Sequence, residues 1–256
     1  MPLADDATDA LLEDWARICD ALGQSAFRRE SEKAAAMVTG IPIPTLNNVF
    51  TARSTATRFE VEALLRLVAE NGIPHCLQLR PGSDAELRAL PLDRGMTTQD
   101  PIPLMAIQAT AAKEILEAPP SPLRIRQVSP EGAAFHTSLL AAGFAAPKEL
   151  FDRLITPAVL ALPGVRCYVG SLDGDPVATA LGFSGGDHVG IYNVATRPDH
   201  QGRGYGTTLT ARAVSDGFAD GASFAYLQSS AAGYGVYLQL GFTELESWAL
   251  WLAAAV

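Results

Sequence analysis

The chain has 256 residues, 48% of them apolar, and a formal net charge of −9 at pH 7. This length suits one large or two small domains, and the apolar fraction is ample for buried cores, which excludes a disordered chain. The acidic balance favours neither nucleic acid nor an anionic membrane as a partner. Because no apolar run reaches membrane-spanning length and the first residues are acidic, we expect a soluble cytoplasmic protein.

Cysteine and histidine patterns argue against a metal centre. The three cysteines, Cys19, Cys76 and Cys167, are widely spread and lack paired metal-ligand spacing, and no pair of histidines has such spacing either. We therefore expect buried, reduced thiols and no bound metal.

The first half of the chain contains one clear helix and one clear strand. Residues 59–70 have helical apolar spacing, Asn71-Gly72 is a turn signal, and residues 73–79 form an apolar run typical of a strand. A boundary follows at Pro119, Pro120 and Pro122, because three prolines in four positions favour a stiff extended linker. We predict a first domain over residues 1–117, a linker over 118–122 and a second domain over 123–256.

Strand and helix patterns alternate in the second domain. Strands are predicted over residues 123–128, 165–172, 177–183, 188–196, 222–228 and 243–253. Helices are predicted over residues 131–142, 147–162 and 231–240, and another helix follows the glycines at 202–206 and ends before Gly221. This order predicts an α/β fold with a mixed sheet.

A glycine-rich turn separates the predicted strand 188–196 from the helix that follows it. Its residues are Gln201, Gly202, Arg203, Gly204, Tyr205, Gly206 and Thr207. Such a turn leaves backbone N–H groups uncovered, and the first turn of the helix adds free N–H groups and a positive dipole end, so we predict an anion site for a pyrophosphate. The ATP and NAD fingerprints do not fit, because no Lys-Ser/Thr pair follows and Thr207 replaces the third glycine.

The turn resembles the acyl-CoA-binding motif of the GNAT acetyltransferase superfamily, Arg/Gln-x-x-Gly-x-Gly/Ala, at Gln201, Gly204 and Gly206. A second element, Tyr237 followed by Gly241-Phe242, is similar to the Tyr-x-x-x-Gly-Phe ending of the superfamily's last helix. The resemblance covers residues 123–253 and implies a GNAT fold for the second domain. It also implies acetyl-CoA as the cosubstrate.

The first domain resembles a degenerate copy of the same unit. Asn48-Val49 and Gly95-Met96 align with Asn193-Val194 and Gly241-Phe242 about 145 residues later. The glycine turn is replaced by residues 53–58, and no tyrosine occupies the position that matches Tyr237. We therefore expect a GNAT-like first domain without a CoA site; the alternative is a chance alignment of two α/β segments.

Further site residues follow from the resemblance. The backbone of Asn193, Val194 and Ala195 would bind the pantetheine arm, with an N–H at or next to Val194 facing the thioester oxygen. Ser230 stands where many family members carry a cofactor-contacting asparagine. Arg203 would contact a CoA phosphate or stay solvated.

Tyr237 is the candidate catalytic residue, because a phenol with a pKa of ~10 is protonated at neutral pH and can give a proton to the leaving thiolate. The alternative role for Tyr237 is a core tyrosine that packs the helix, and Tyr234, one turn earlier, is the fallback for the acid. No carboxylate occurs in residues 190–194, where many members place a glutamate base. We expect Asp187 and His188, at the start of this strand, to form an exposed turn pair; the alternative is that they act as the base through water.

We therefore predict an acetyl-CoA-dependent N-acetyltransferase that acts on a primary amine. An amine that is partly neutral needs no base, which favours small amines or N-termini over lysine side chains. The alternative function is a non-catalytic acyl-CoA-binding or interaction protein. A transferase that uses a longer acyl donor is a further alternative. The acceptor, the acyl chain length and the oligomeric state do not follow from the residues.

Overall fold

The computed structural model describes residues 2–112 and 121–253, which form helices and a mixed β-sheet architecture. The helices are α1 (Pro2–Leu22), α2 (Arg58–Ala69), α3 (Ala85–Asp93), α4 (Ala109–Ala112), α5 (Ala133–Phe144), α6 (Lys148–Leu154), α7 (Pro157–Leu160), α8 (Tyr205–Ala219) and α9 (Tyr234–Gln239). The strands are β1 (Phe27–Glu30), β2 (Ala34–Val38), β3 (Asn47–Thr51), β4 (Cys76–Leu79), β5 (Thr97–Thr98), β6 (Ile102–Gln108), β7 (Arg124–Val128), β8 (Val165–Leu172), β9 (Asp175–Gly185), β10 (His188–Thr196), β11 (Phe224–Gln228) and β12 (Thr243–Leu252).

The chain divides into two compact units. Unit 1 comprises residues 1–104 and 244–256, and unit 2 comprises residues 105–243. These units differ from the predicted domains, 1–117 and 123–256, because β12 pairs with β4 in unit 1 and residues 105–112 contribute to the core of unit 2. Of the predicted linker, residues 118–120 lie outside the described residues, and residues 121–122 have no regular structure.

Unit 1 is a sheet in the order β1-β2-β3-β4-β12, with β5 also beside β12. Its strands pair antiparallel except for β3 and β4, which are parallel. The buried residues of α2 recur with helical spacing at Val61, Leu64, Leu65 and Val68, so one face of the helix packs into the core of the unit.

Unit 2 is a sheet in the order β6-β11-β10-β9-β8-β7. The strands β7 to β10 pair antiparallel in sequence, and β10 pairs parallel with β11. Helix α8 lies close against β10, because a Cβ at Gly217 would come within 2.6 Å of Val189 Cγ1. Glycine at this position therefore permits the contact between helix and sheet.

The predicted mixed α/β fold is confirmed, and the predicted strands 165–172 and 188–196 match β8 and β10 at both ends. The single predicted helix 147–162 is wrong, because the chain breaks between α6 and α7. Thr156 has an extended backbone and its side chain caps α7, while Pro157 occupies the first helical position and lacks an N–H group. The predicted strand 73–79 begins only at Cys76.

The expectation of buried thiols is confirmed, since Cys19, Cys76 and Cys167 are buried and free. Within the described ranges, no helix is both long and apolar enough to cross a membrane. Among those same residues, no group of three or more His, Cys, Asp or Glu side chains could hold a metal ion.

Candidate functional site

A cleft of about 750 Å³ in unit 2 lies between the end of β10 and helices α8 and α9. One wall is formed by Val194, Ala195 and Thr196 of β10, together with Gly143 and Phe144 at the end of α5. The glycine turn and the first turn of α8 form a second wall, and residues between Ser230 and Gln239 form a third. The cleft thus brings together segments that are widely separated in the sequence.

A β-bulge shapes the strand wall of the cleft. The register of β10 on β9 shifts between Tyr192 and Ala195, and Asn193 has a left-handed backbone with φ +53°. The parallel register with β11 covers only His188–Gly190 of β10. A bulge interrupts the ladder and bends its strand. The end of β10 therefore offers backbone hydrogen-bonding groups to an extended ligand on the side of β11.

The glycine turn leaves the N-terminus of α8 open. Gly202 and Gly204 have left-handed backbones, with φ +73° and +77°, and a Cβ at either position would meet no atom within 4 Å. Gly204 is the N-cap of α8 and provides no side-chain cap. In the described part of the chain, the N–H groups of Tyr205 and Gly206, in the first turn of α8, donate to no backbone carbonyl. Free N–H groups and the positive end of a 15-residue helix form a site suited to an anion.

Polar side chains hold this turn in place. Gln201 Nε2 donates to the carbonyl oxygen of Thr196 at 3.2 Å, which ties the turn to the end of β10. Arg203 Nη2 donates to the carbonyl oxygen of Asp199 at 3.2 Å. The hydrogen bond from Arg197 is the main cause that lowers the pKa of Asp199 to about 2, so this carboxylate stays charged and is paired with Arg197 within the turn.

Tyr237 projects from α9 into the cleft. Its ring lies across Gly233, where a Cβ would come within 2.8 Å of Tyr237 Cε2, and makes an edge contact with Phe242 at a centroid distance of 6.0 Å. Burial raises the pKa of the phenol to about 12. None of the described residues forms a hydrogen bond with the Tyr237 hydroxyl, so this protonated donor is available to a molecule in the cleft.

The cleft lining includes all the predicted site residues except Asn193 and Arg203. Asn193 is the bulge residue that precedes the lining, and Arg203 bonds back to the turn. The roles assigned to these residues stay predictions. Sequence reasoning missed His200, Gly143 and Phe144, which also line the cleft. The position of His200 beside the glycine motif was a usable signal, whereas Gly143 and Phe144 belong to a distant helix.

No carboxylate occurs among the described residues that line the cleft. The expectation that Asp187 and His188 form an exposed turn pair is wrong for His188, which is 4% exposed and packs against Phe224 and Tyr226. Asp187 accepts a hydrogen bond from Ser223 Oγ at 3.0 Å. Both residues belong to the start of β10, away from the lining residues at its end.

The corresponding strands of unit 1 remain paired where those of unit 2 part. The parallel register of β3 with β4 runs from Asn48 to Phe50, the positions that align with Asn193 to Ala195. Beyond it, Thr51 Oγ1 accepts a hydrogen bond from the N–H of Arg80 at 2.8 Å and donates to the carbonyl oxygen of Gln78 at 3.4 Å. The pairing therefore leaves no gap for an extended ligand at this point of unit 1.

The N-terminus of α2 in unit 1 is already capped. Thr57 and Glu60 form a capping box, in which the Thr57 N–H donates to the Glu60 carboxylate at 3.0 Å. This backbone hydrogen bond is the main cause of the lowered pKa of Glu60. An anionic side chain thus occupies the helix end that a phosphate would need.

Comparisons with known proteins agree with this geometry. A model described as the acetyltransferase (GNAT) family matches residues 134–242. No curated protein sequence matches the chain.

Solved structures share the fold over most of the chain. A GCN5-related N-acetyltransferase from Kribbella flavida has a TM-score of 0.69 at 19% identity and covers 94% of this chain and 96% of its own. A GCN5-related N-acetyltransferase from Sphaerobacter thermophilus has a TM-score of 0.64 at 16% identity, with 86% and 76% covered. A tandem GNAT protein from the clavulanic acid biosynthesis pathway has a TM-score of 0.61 at 14% identity, with 91% and 84% covered. The predicted GNAT fold of the second half and GNAT-like fold of the first half are confirmed. Residues 134–242, which include the residues that line the cleft, form a domain of the GNAT acetyltransferase family.

Proposed function

We propose that unit 2 is an acetyl-CoA-dependent N-acetyltransferase that acts on a primary amine. The observation that carries the proposal is the meeting, in one cleft, of an uncapped helix N-terminus, a bulged strand end and a free, protonated phenol. These groups match the three parts of an acyl-CoA: an anionic pyrophosphate, an extended arm and a thioester sulfur.

The donor would bind along the two walls of the cleft. N–H groups from Gly202 to Thr207 would receive the pyrophosphate, since backbone donors with no overlying side chain allow close approach. Backbone groups of residues 193–195 would bind the pantetheine arm, and Ser230 would add a polar contact. The capped helix and paired strands of unit 1 offer no such combination, which supports one donor site per chain.

The reaction would proceed by direct attack. The neutral amine nitrogen attacks the thioester carbonyl carbon, while an N–H at or next to Val194 faces the developing oxyanion. When the C–S bond breaks, Tyr237 Oη donates its proton to the thiolate; the proton lost from the amine nitrogen passes to water, and Tyr237 regains one from solvent. A pKa of about 12 keeps this phenol protonated throughout the neutral range.

A non-catalytic acyl-CoA-binding protein is the second candidate. The observation that favours it is the lack of any carboxylate base among the described lining residues. An amine that is already neutral removes the need for such a base, so we retain the enzyme as the first choice.

We also propose that it works in the cytoplasm, because its three cysteines are free thiols.

The test combines calorimetric titration of acetyl-CoA with a thiol-release assay over a panel of amines. We expect one site per chain. Tyr237→Phe should reduce the turnover rate about 10²-fold or more and leave acetyl-CoA affinity nearly unchanged, because only a proton donor is removed. Tyr234→Phe is the matched control, since Tyr234 lies on the same helix but is not among the described residues that line the cleft.

Three other results would decide against parts of this scheme. An unchanged rate in Tyr237→Phe would exclude Tyr237 as the acid. Binding of acetyl-CoA without thiol release would favour the non-catalytic protein. Absence of binding would show that the glycine turn has only a structural role.

A further inference from the structure

Two aromatic rings form an apolar surface at the edge of the cleft. Phe144 lines the cleft and is 51% exposed. Its ring stacks on that of Phe151 in α6, with a centroid distance of 5.9 Å and an interplanar angle of 28°. One face of the Phe144 ring is therefore covered by Phe151, while the rest of the ring stays open to the cleft.

The backbone next to Phe144 is held close to the end of β10. Helix α5 ends at Phe144, and Ala145 follows in a left-handed conformation with φ +51°. The preceding residue, Gly143, packs so closely that a Cβ would come within 2.9 Å of Ala195 Cβ and 3.2 Å of the carbonyl oxygen of Thr196. Phe144 is thus anchored beside the same stretch of β10 that would bind the pantetheine arm.

The described residues that line the cleft include no carboxylate that could pair with a cationic amine. Among the described lining residues, the titratable side chains are those of His200, Tyr205 and Tyr237. Helix α6, which carries Phe151, has two acidic side chains, Glu149 and Asp152; neither is among the described residues that line the cleft, and Asp152 is bound to Lys148 at 2.6 Å. An ammonium group that entered the cleft would lose its hydration without gaining a carboxylate partner.

We propose that the acceptor is an aromatic amine that is uncharged at neutral pH, such as an aniline, and that its ring stacks on Phe144. This inference rests on the proposed acyl transfer and names its substrate class. An aniline nitrogen is neutral because its lone pair is delocalised into the ring, so the missing base is not needed. Offset stacking of aromatic rings supplies the recognition that an ion pair supplies for alkylammonium groups.

The step balances without a further reactant. The aniline nitrogen forms the C–N bond, the C–S bond breaks, and the thiolate takes its proton from Tyr237. The proton lost from nitrogen passes to water, and Tyr237 regains one from solvent. The products are an N-aryl acetamide and CoA.

The experiment compares three acceptors of similar size by thiol release at about pH 7: aniline, which is aromatic and neutral; benzylamine, which is aromatic and charged; and cyclohexylamine, which is charged and not aromatic. We expect the highest kcat/KM for aniline. Its rate should stay flat between about pH 6.5 and 8, whereas the rates of the other two should rise with pH as their ammonium groups deprotonate.

Phe144→Ala should raise KM for aniline roughly 2- to 10-fold, the worth of one aromatic contact, and leave the calorimetric Kd of acetyl-CoA unchanged. Phe135→Ala is the matched control, because Phe135 is also an exposed phenylalanine of α5 but is absent from the described lining. Phe144→Tyr should retain the preference for aniline.

Other outcomes would overturn the inference in distinguishable ways. Faster turnover of benzylamine or cyclohexylamine would refute the acceptor class and leave the acyl transfer standing. A loss of acetyl-CoA affinity in Phe144→Ala, with no change in KM for aniline, would assign the ring to the donor. Binding of acetyl-CoA without thiol release from any of the three amines would reject both the class and the transferase.

Discussion

Gly143 provides a quantitative test of how the cleft wall is built. A methyl group added in Gly143→Ala would lie 2.9 Å from Ala195 Cβ, 3.2 Å from the carbonyl oxygen of Thr196 and 3.3 Å from its nitrogen. Two of these atoms belong to the backbone of a paired strand and cannot rotate away. The helix must therefore shift by a few tenths of an ångström, and overpacking of this kind costs about 1–3 kcal/mol.

A matched variant removes the effect of helix propensity. Replacing glycine by alanine within a helix stabilises it by roughly 0.5–1 kcal/mol, and this gain partly masks the clash. Gly235→Ala introduces the same change in α9, where a Cβ would meet no atom within 4 Å. The difference between the two variants isolates the steric cost, so we expect Gly143→Ala to be less stable than Gly235→Ala by about 1–3 kcal/mol.

The assay is thermal unfolding followed by calorimetric titration of acetyl-CoA. For a unit of this size each kcal/mol lowers the melting temperature by about 2–4 °C, so Gly143→Ala should melt at least about 2 °C below Gly235→Ala. Its affinity for acetyl-CoA should fall as well, because the wall contributed by Ala195 and Thr196 is displaced. Equal melting temperatures together with unchanged affinity would refute the close contact between α5 and β10.

Three further predictions follow from individual residues. Gly204→Ala should lose stability by about 1–2 kcal/mol and bind acetyl-CoA more weakly, because its φ of +77° is strained for alanine. Gly206→Ala should keep its stability, since its Cβ would lie 3.5 Å from the nearest protein atom; thermal unfolding compares the two variants, and titration calorimetry measures the affinity of Gly204→Ala. Glu246→Leu should destabilise unit 1 by about 3 kcal/mol, the low end of the range for breaking a buried ion pair, because the buried guanidinium of Arg80 loses the Glu246 carboxylate at 2.6 Å but keeps that of Asp5. A melting curve that matches the wild type would contradict this. Burial lowers the pKa of His136 to about 3, below its unfolded value of ~6.5, so the stability that neutral His136 contributes is present above pH ~6.5 and is lost as pH falls. The melting temperature of His136→Gln should therefore drop less steeply with acid than that of the wild type. Parallel curves of melting temperature against pH for the two proteins would refute this.

The two halves of the chain illustrate how a few residues decide whether a shared fold keeps a site. Both units have a strand, a connecting loop, a helix and a parallel neighbouring strand in the same order. In unit 2 the loop ends with Gly204, which leaves the helix end uncapped; in unit 1 it ends with Thr57, whose partner Glu60 places a carboxylate there. Replacement of the glycines was visible in the sequence, but the capping box that took their place was not identified from it.

Local patterns explain which predictions succeeded. The strands 165–172 and 188–196 and the glycine turn were predictable because apolar runs and left-handed glycines are determined by neighbouring residues. The division of the predicted helix 147–162 was also local, and the Thr156-Pro157 pair was the signal for it. The family resemblance rested on motifs of the same short range.

What the sequence determined by itself was therefore the mixed α/β class, the order of elements in the second half and the position of an uncovered helix end. Only the tertiary structure decided that β12 joins unit 1, that His188 is buried and that Phe144 stands beside the end of β10. The physical reason is that strand pairing and burial depend on partners far away in the chain, while periodicity reports only on the nearest residues. The bulge at Asn193 belongs to the second group, because it is defined by a shift in the register of β10 on β9, a strand that the local pattern does not identify as its partner.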